Sequence, residues 1–578
     1  MKNYLTLCGL TLLLFAGCSS NVADTVVYGD IYTVDKDNPV VQAVAVKDGR
    51  YVYAGDREGA ASFVKEGVTE VIDHSGKGMV MPSCTDGHAH FMMATSLAIM
   101  GGVMINKGEG PEVFLEKLKE QYDKAKSEGK HNISGFGWNY HRFLREGMPS
   151  LEQIDAICPD IAVYISDDEG HKGLANSLCL QKAGILDGKG NVLKSEIRGG
   201  EICKDADGKP NGLLFEQAGT FVRSHGIDFE ELLTPEKAES AILTAQNMLL
   251  SNGYTSYMDG WSNYFYTDGY YIAARNLDDN GALKMNLGCS YELESWCEDI
   301  DKELETAVEW SAKYATRHLH SDYIKLFIDG TVEGGTGFIF KDYPAGGRGI
   351  YNWSQEEVNE ITAKANAKGL TMHVHTMGDA AINRCINAFE GYGKSECRNT
   401  LVHLRNVIGS DFQRIADNDI YCAVGILWHA VTDEFRKQLP ELVPEGYENK
   451  AYPLKSHLDC GTVVTSSCDF PSTSGMSENP FSIMETAVSG SILNSATGEY
   501  TVPWDTDELI TREQMLEILT INGARQFKME DERGSIEVGK YADFILVDRN
   551  VMECPLRELD KTKVLATYFE GEQVYKAE

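Results

Sequence analysis

Short runs of apolar and β-branched residues occur near both ends of the chain. The segments beginning at Thr25 and at Val40 are of this kind, and the Asp48-Gly49 pair that follows them is typical of a hairpin turn. The segment from Gly534 to Asp548 has the same pattern of short apolar and β-branched runs. We therefore predict a β-sandwich built from both termini, with residues 18–80 as its N-terminal part and 528–578 as its C-terminal part.

Between these ends, apolar strands alternate with segments of helical periodicity, as in parallel βα units. The pattern predicts strands at 323–328, 370–375, 401–404 and 421–426, and helices at 355–367, 380–389 and 512–527, the last packed against the sandwich. This alternation fits either a barrel or an open doubly wound sheet. The span 81–527 is much longer than the roughly 250 residues of a plain barrel. An insertion is therefore expected, and the mixed, glycine-rich segment at about 108–221 is the candidate.

The first residues have the features of a bacterial lipoprotein signal. Lys2 precedes an apolar stretch from Leu5 to Phe15, and small residues lead to Cys18. We interpret residues 1–17 as a signal peptide, with cleavage before Cys18 and a lipid on its sulfur. An uncleaved anchor or a core helix is less favoured because the polar segment Ser19-Ser20-Asn21 follows at once. The protein is expected to be exported and anchored to a bacterial membrane through this lipid alone.

Composition excludes several classes of function. The chain has 87 acidic and 53 basic residues and a net charge of -34, so nucleic acid is not an expected partner, because phosphate binding needs a basic face. No Gly-x-Ser-x-Gly elbow supports a serine nucleophile. No Gly-x-Gly-x-x-Gly after a strand supports a nicotinamide or flavin cofactor.

Polar side chains end several of the apolar runs. His88 and His90 follow the run Met79-Val-Met-Pro, and two histidines one residue apart on a strand point the same way, which suits a metal clamp. Barrel enzymes carry their active sites at the carboxyl ends of the strands. Four more polar side chains lie in or just after later apolar strands, where a charged or imidazole group needs a polar partner. They are Lys325, His375, His403 and Asp469. Gathered at one barrel mouth, these groups would form a two-cation site.

Lys325 is the sharpest test of this idea. An ammonium within Tyr-Ile-Lys-Leu-Phe-Ile is poorly solvated, and burial lowers its pKa so that a neutral amine becomes accessible. A neutral amine can add carbon dioxide and become a carbamate, an anionic oxygen ligand able to bridge two cations. The alternative is a lysine that reaches the barrel end or pairs with Asp329.

The order of these residues, together with the motifs Ser-Gly-Phe-Gly-Trp138, Gly-His171-Lys-Gly, Lys325-Leu-Phe-Ile-Asp-Gly and His375-Thr-Met-Gly-Asp, resembles the amidohydrolase superfamily. The resemblance is to the family 3 branch that includes N-substituted formamide deformylases. It implies an α/β fold, a distorted (β/α)8 TIM barrel with a terminal β-sandwich and an inserted α+β domain. It also implies one or two divalent metal ions, zinc or a similar ion.

Carried over residue by residue, the resemblance implies that His88, His90 and Asp469 hold one metal and that His375 and His403 hold the other. Carboxylated Lys325 would bridge the two ions, and Asp469 would also transfer a proton during catalysis. Candidate substrate contacts are Trp138, Tyr140, His171, His373 and Asp329. His373 points to the same side of its strand as His375. In an alternative interpretation, His373 contacts the metal ligands rather than the substrate.

The expected activity is hydrolysis of a carbon-nitrogen bond in a small-molecule amide or formamide by metal-activated water. Deaminases, dipeptidases and cyclic amidases on the same scaffold are alternatives, because they would share every ligand and differ only in the pocket. A non-catalytic tethered binding lipoprotein is a further alternative. The sequence leaves homo-oligomerisation open.

The predicted lipid anchor can be tested by labelling. Cells that express the full chain and are fed a radioactive fatty acid should incorporate label into the wild type, whereas Cys18→Ala should incorporate none, because its sulfur is the predicted acceptor. Cys203→Ala is a matched control that should keep the label. Labelling that survives Cys18→Ala would contradict the anchor.

Overall fold

The computed structural model describes residues 22–106, 108–471, 478–493, 498 and 500–578. The predicted signal peptide and the predicted lipidation site Cys18 lie outside the described residues. Among the helices that are described, none combines the length and the apolar character needed to cross a bilayer.

Eight parallel strands form a nearly closed barrel at the centre of the fold. Their side chains are almost entirely buried, because the helices cover the outer face and the barrel interior is filled. In chain order these strands are Cys84–Ala89, Tyr254–Asp259, Asn286–Glu292, Leu319–Phe327, Thr371–Thr376, Thr400–His403, Tyr421–Val424 and Val464–Ser466. The barrel confirms the predicted fold class.

Side chains close the seam between the first and the eighth barrel strands, which lie at the two edges of the sheet. The Gln526 side chain donates to the Gly87 carbonyl at 2.9 Å and accepts from the Thr465 hydroxyl at 2.6 Å. Beyond the strand ends, the Asp469 amide and the Ser467 hydroxyl both donate to the His88 carbonyl. The seam therefore ties the segment carrying Asp469 directly to the strand carrying His88.

Helices connect the barrel strands and cover their outer face. Helix Gln355–Ala367 begins at a capping box in which Ser354 and Glu357 satisfy each other's backbone amides, and its bounds match the predicted ones. The other helices of this layer are Phe91–Met100, Phe229–Leu232, Pro235–Ser251, Gly269–Asp279, Ile300–Tyr314, Asp379–Tyr392, Gly409–Asp417, Asp433–Leu442, Lys455–Asp459 and Pro480–Ser489. A two-stranded sheet joins Ala430–Val431 to Val502–Pro503.

The predicted helix at 512–527 is two helices. Arg512–Leu519 and Ile521–Gln526 are separated by Thr520, whose φ of -126° and ψ of -88° are not helical. The apolar side chains of the first helix join the main hydrophobic cluster of the barrel, and the second helix supplies the Gln526 clamp. The same cluster contains Ile545 and Val547 of the terminal sheet, so the segment serves the barrel seam, and its predicted packing against the sandwich stays a prediction.

Strands from both ends of the chain form one mixed eight-stranded sheet. Met79–Pro82 lies between Thr25–Tyr32, to which it is parallel, and Phe544–Val547, to which it is antiparallel. The remaining strands are Val40–Lys47, Arg50–Gly55, Glu70–Asp73, Val564–Phe569 and Glu572–Lys576, with helix Arg57–Ala61 alongside. One hydrophobic cluster includes Val44 and Phe544, so the two termini share a core, as the sequence predicts.

A six-stranded sheet lies between the first and second barrel strands in the sequence. Its strands are Val103–Met104, Asn132–Trp138, Ala162–Asp167, Lys172–Ala175, Gly200–Lys204 and Pro210–Glu216. Its helices are Pro111–Ser127, Tyr140–Glu146, Leu151–Ile157, Ser177–Lys182 and Gln217–Gly226. A separate hydrophobic cluster that includes Phe114, Trp138 and Val163 forms its core. This α+β unit covers most of the segment that the sequence marks as inserted.

The seam generates a stability prediction. Gln526→Ala leaves the Thr465 hydroxyl and the Gly87 carbonyl without their buried partner, so the free energy of unfolding should fall by about 1–3 kcal/mol. Urea denaturation followed by circular dichroism measures this loss. Gln413→Ala, at an exposed helical position, is the matched control and should change stability by less than about 0.5 kcal/mol. Equal midpoints for the two variants would contradict the clamp.

Candidate metal centre and substrate cavity

The carboxyl ends of the barrel strands bring the predicted ligands to one place. His88 lies in the first strand and His90 directly follows it, whereas Lys325 lies in the fourth strand. Lys325 stands beside His373 of the fifth strand in the parallel register. His375 and His403 lie near the ends of the fifth and sixth strands, and Asp469 comes three residues after the eighth.

Asp469 is the common neighbour of the first two histidines. Its Oδ1 lies 3.4 Å from His88 Nε2 and 3.3 Å from His90 Nε2. Possible ligand atoms of His88, His403 and Asp469 lie within 4.8 Å of one another. The Lys325 ammonium nitrogen lies 3.5 Å from His88 Nε2. One cation-sized space is therefore surrounded by nitrogen and oxygen donors, the set that zinc prefers.

His403 links this group to the remaining histidines. Its ring centroid lies 5.2 Å from that of His88 and 4.5 Å from that of His375. His375 in turn lies 5.0 Å from His171 and places its Nε2 3.3 Å from the Gly330 carbonyl. His403 thus lies between His88 and His375, and its ring is nearer to His375, the residue with which the resemblance assigns it to a second ion.

Unsatisfied atoms show that the residues present fit a cation. His90 Nδ1, His403 Nδ1 and Asp469 Oδ1 are buried and make no hydrogen bond within the described part of the chain. Buried polar atoms normally have a partner, and a metal ion supplies one to lone pairs that converge.

The protonation states also suit metal ligands. Burial lowers the pKa of His88 well below its usual value and that of His403 to about 3, with the neighbouring Lys325 and histidines adding to the effect. Burial alone would raise the pKa of Asp469, but His403, His90 and Lys325 lower it overall. At neutral pH His88 and His403 are therefore neutral imidazoles and Asp469 is a carboxylate, the forms that bind metals.

Lys325 is fully buried, and burial lowers its pKa to about 8 although Asp469, Glu292 and Asp259 act in the opposite direction. A neutral amine is consequently accessible near physiological pH. Burial thus lowers the pKa of Lys325 in the direction expected from its apolar sequence neighbours.

Three further groups orient the ligands without lining the cavity. His373 Nε2 lies 2.8 Å from His88 Nδ1, so a hydrogen bond between the rings directs His88 Nε2 towards Asp469. Asp86 accepts hydrogen bonds from the amides of His88 and Cys468. It thereby positions the two segments that meet at the seam. Asp329 accepts from the amides of Phe338, Met377 and Gly378 and so holds the loop after the fifth strand.

Above the ligands lies a cavity of about 570 Å³, which reaches His90, Lys325, His375, His403 and Asp469. Much of its wall is aromatic, and the sequence analysis missed these side chains. They include Trp261, Tyr264, Phe327, Trp428, Tyr452 and Trp504. Trp261 and Trp428 closely follow barrel strands, and this position in the sequence could have identified them as cavity residues. Nothing local marks Trp504, which lies far from any barrel strand in the sequence.

The predicted substrate contacts separate into two groups. His171 lines the cavity, and its Nδ1 lies 2.8 Å from the Glu216 carboxylate. Burial would lower the pKa of His171, but Glu216 raises it overall. Trp138 is buried in the core of the inserted unit, where its indole donates to the Ile165 carbonyl, and Tyr140 packs against Phe215. Neither Trp138 nor Tyr140 lines the cavity, because both face the interior of the inserted unit.

The chain resembles known proteins in sequence over most of its length. The chain is 26% identical over 562 residues to the N-substituted formamide deformylase of Arthrobacter pascens, covering 94% of this chain and 97% of that protein. It is 23% identical over 554 residues to the putative amidohydrolase YtcJ of Bacillus subtilis, covering 95% and 98% of the two chains.

Two solved structures share the fold. An uncharacterised metal-dependent hydrolase from Pyrococcus furiosus aligns with a TM-score of 0.66 at 24% identity, covering 92% of this chain and 100% of that one. A second, from Pyrococcus horikoshii, aligns with a TM-score of 0.68 at 22% identity, covering 92% and 99%. The amidohydrolase family profile matches residues 70–575, which include both the barrel and most of the terminal sheet. The chain therefore belongs to the amidohydrolase family.

Proposed function

We propose that the protein is a metal-dependent hydrolase that cleaves the carbon-nitrogen bond of a small amide or formamide. The observation that carries this proposal is the close grouping of possible ligand atoms of His88, His403 and Asp469, with His90 Nε2 3.3 Å from Asp469 Oδ1, beside an open cavity. Family membership and the likeness to a formamide deformylase support the reaction type.

His88, His90, His403 and Asp469 are the residues that would hold the cation, and His375 is placed to contribute to a second ion. A divalent ion such as zinc supplies Lewis acidity and lowers the pKa of water towards neutrality. The neutral state of the buried imidazoles favours its binding. The donor set suits zinc, which accepts nitrogen and oxygen ligands together.

Asp469 has two tasks in the proposed reaction. As a carboxylate at neutral pH, it accepts a proton from the attacking water, and it then returns that proton to the leaving amine. Amines leave poorly unless they are protonated, so one group that performs both transfers lowers both barriers. The pKa of Asp469, lowered by His403, His90 and Lys325, keeps it ready to accept the first proton.

Lys325 and His171 have supporting roles in the proposal. The lowered pKa of Lys325 permits its neutral amine to add carbon dioxide, releasing a proton and forming a carbamate beside His88. His171, hydrogen-bonded to Glu216 on one ring nitrogen, is free to donate from the other towards the substrate carbonyl.

The metal site predicts a loss of bound zinc. Wild-type protein stripped with a chelator and dialysed against zinc should retain one or two ions per chain, measured by plasma mass spectrometry. When zinc is limiting, His88→Asn should retain at least about tenfold less zinc than the wild type, because one donor is removed from the cluster. His131→Asn, an exposed histidine of the inserted unit, is the matched control. Equal zinc contents in the two variants would overturn the site.

The proton-transfer role predicts a separate effect. Asp469→Asn should lower kcat by about 10²–10⁴-fold, because an amide cannot shuttle the proton. Its zinc content should fall much less than its turnover, since the histidines remain. Asp279→Asn, an exposed aspartate, is the control and should leave kcat unchanged. Turnover of an N-formyl amine by zinc-loaded protein measures kcat, and full activity in Asp469→Asn would refute the assignment.

A further inference from the structure

One aromatic group of the cavity wall, the Phe327 group, consists of Phe327, Trp261 and Tyr264. The ring centroid of Trp261 lies 5.1 Å from that of Phe327 and 4.8 Å from that of Tyr264. The guanidinium carbon of the buried Arg223 lies 4.5 Å from the Trp261 ring centroid and 3.6 Å from that of Tyr264. Arg223 does not line the cavity, so it holds these two rings from behind and leaves Phe327 as the partly exposed member.

A second aromatic group, the Trp428 group, consists of Trp428, Tyr452 and Trp504. The ring centroids of Trp428 and Tyr452 are 5.5 Å apart, and the Trp504 indole donates to the Trp428 carbonyl at 2.7 Å. The guanidinium carbon of the buried Arg405 lies 5.2 Å from the Trp504 ring centroid. Trp428 is the partly exposed member of this group, as Phe327 is of the first, so both groups present one ring on a packed support.

The two groups lie on either side of two candidate metal ligands. The Phe327 ring centroid is 5.0 Å from that of His375, and the Trp428 centroid is 5.6 Å from that of His403. The rings of His375 and His403 are themselves 4.5 Å apart. Phe327 ends the fourth barrel strand and Trp428 follows the seventh. The two histidines belong to the fifth and sixth strands, so the order of strands around the barrel places them between the aromatic groups.

This arrangement matches the shape of a substituted amide. An amide is planar and normally trans, so the group on its carbonyl carbon and the group on its nitrogen leave the reacting bond in opposite directions. With the carbonyl at the ligands, one group meets Phe327 and the other meets Trp428. Burial of apolar surface against rings that are already held in place is favourable, because little ordering is needed on binding. A formyl hydrogen or an unsubstituted nitrogen would leave one aromatic group in contact with water.

We infer that the substrate is an N-substituted carboxamide with an apolar group on each side of the reacting bond, one held by the Phe327 group and the other by the Trp428 group. The inference rests on the proposed function and narrows its substrate class. Formamides and primary amides are disfavoured, because each of them fills only one side of the cavity. Phe327 and Trp428 are then the residues that determine specificity for the two sides.

The test measures binding without turnover, by calorimetric titration of the zinc-loaded full chain. The probes are ketones in which a methylene replaces the amide nitrogen, so that no bond can be hydrolysed. In 4-phenylbutan-2-one the ring is on the side of the replaced nitrogen, in 1-phenylbutan-2-one it is on the acyl side, and 1,4-diphenylbutan-2-one has a ring on both sides. The two-ring probe should have a Kd at least about tenfold lower than either one-ring probe, because the second ring buries further apolar surface.

Variants assign each ring of the probe to one side of the cavity. Phe327→Ala should raise the Kd of one of the one-ring probes at least about fivefold and leave that of the other within about twofold, because only one side loses its wall. Trp428→Ala should have the opposite preference. Phe340→Ala and Trp310→Ala remove the same types of ring outside the cavity, and these matched controls should leave all three Kd values unchanged. Circular dichroism establishes that each variant is folded.

The possible results separate the two proposals. A two-ring probe that binds no more tightly than the better one-ring probe would overturn the two-sided site, as would binding of none of the probes. Losses in Phe327→Ala and Trp428→Ala that fall on the same one-ring probe, or equal losses in the control variants, would also overturn it. Failure of zinc-loaded protein to hydrolyse any N-acyl or N-formyl amine would count against the proposed reaction, while the order of the Kd values would still decide the two-sided site.

Discussion

Burial of several ionisable side chains at one point is the constraint on which the site depends. Four imidazoles, one lysine and one carboxylate lie within the barrel mouth, each with little or no contact with solvent. Charged groups are costly to bury unless they are paired, so burial keeps His88, His375 and His403 neutral and the carboxylate is stabilised by its neighbours. A site in this state has lone pairs without donors. It is therefore prepared to accept a cation, which removes that deficit.

The barrel makes this concentration of polar groups tolerable. Parallel strands bring their carboxyl ends to one rim, and the hydrophobic layer beneath them supplies the free energy that holds the rim together. The seam between the first and eighth strands is a critical part of that frame. Gln526, Ser467 and the Asp469 amide all bond to the first strand, so the position of Asp469 relative to His88 is set by the closure itself.

The surrounding units supply much of the cavity wall. The inserted unit contributes His171, Asp168 and Glu169, whereas the segment around Asp433 contributes Asp433 and Glu434. Both belong to connections between strands, which vary independently of the barrel. The same ligand set can therefore serve different substrates.

Much of the site was predictable from the sequence because strand ends and metal ligands are local patterns. His88, His90, Lys325, His375, His403 and Asp469 each stand in or just after an apolar run, and the structure places all of them at the same barrel mouth. The helix break at Thr520 was not predicted, because an amphipathic pattern of that length predicts one helix. The pattern does not indicate that the segment packs where the barrel closes.

Only the tertiary structure decided which residues face the cavity. Trp138 and Tyr140 occur in a motif close to the site in sequence, yet they pack inward, while Trp504 reaches the wall from a distant segment. The hydrophobic pattern of a chain specifies which side chains must be buried, but it does not specify against which partner. That choice depends on how the inserted sheet and the barrel pack together, because this packing determines which side chains line the cavity.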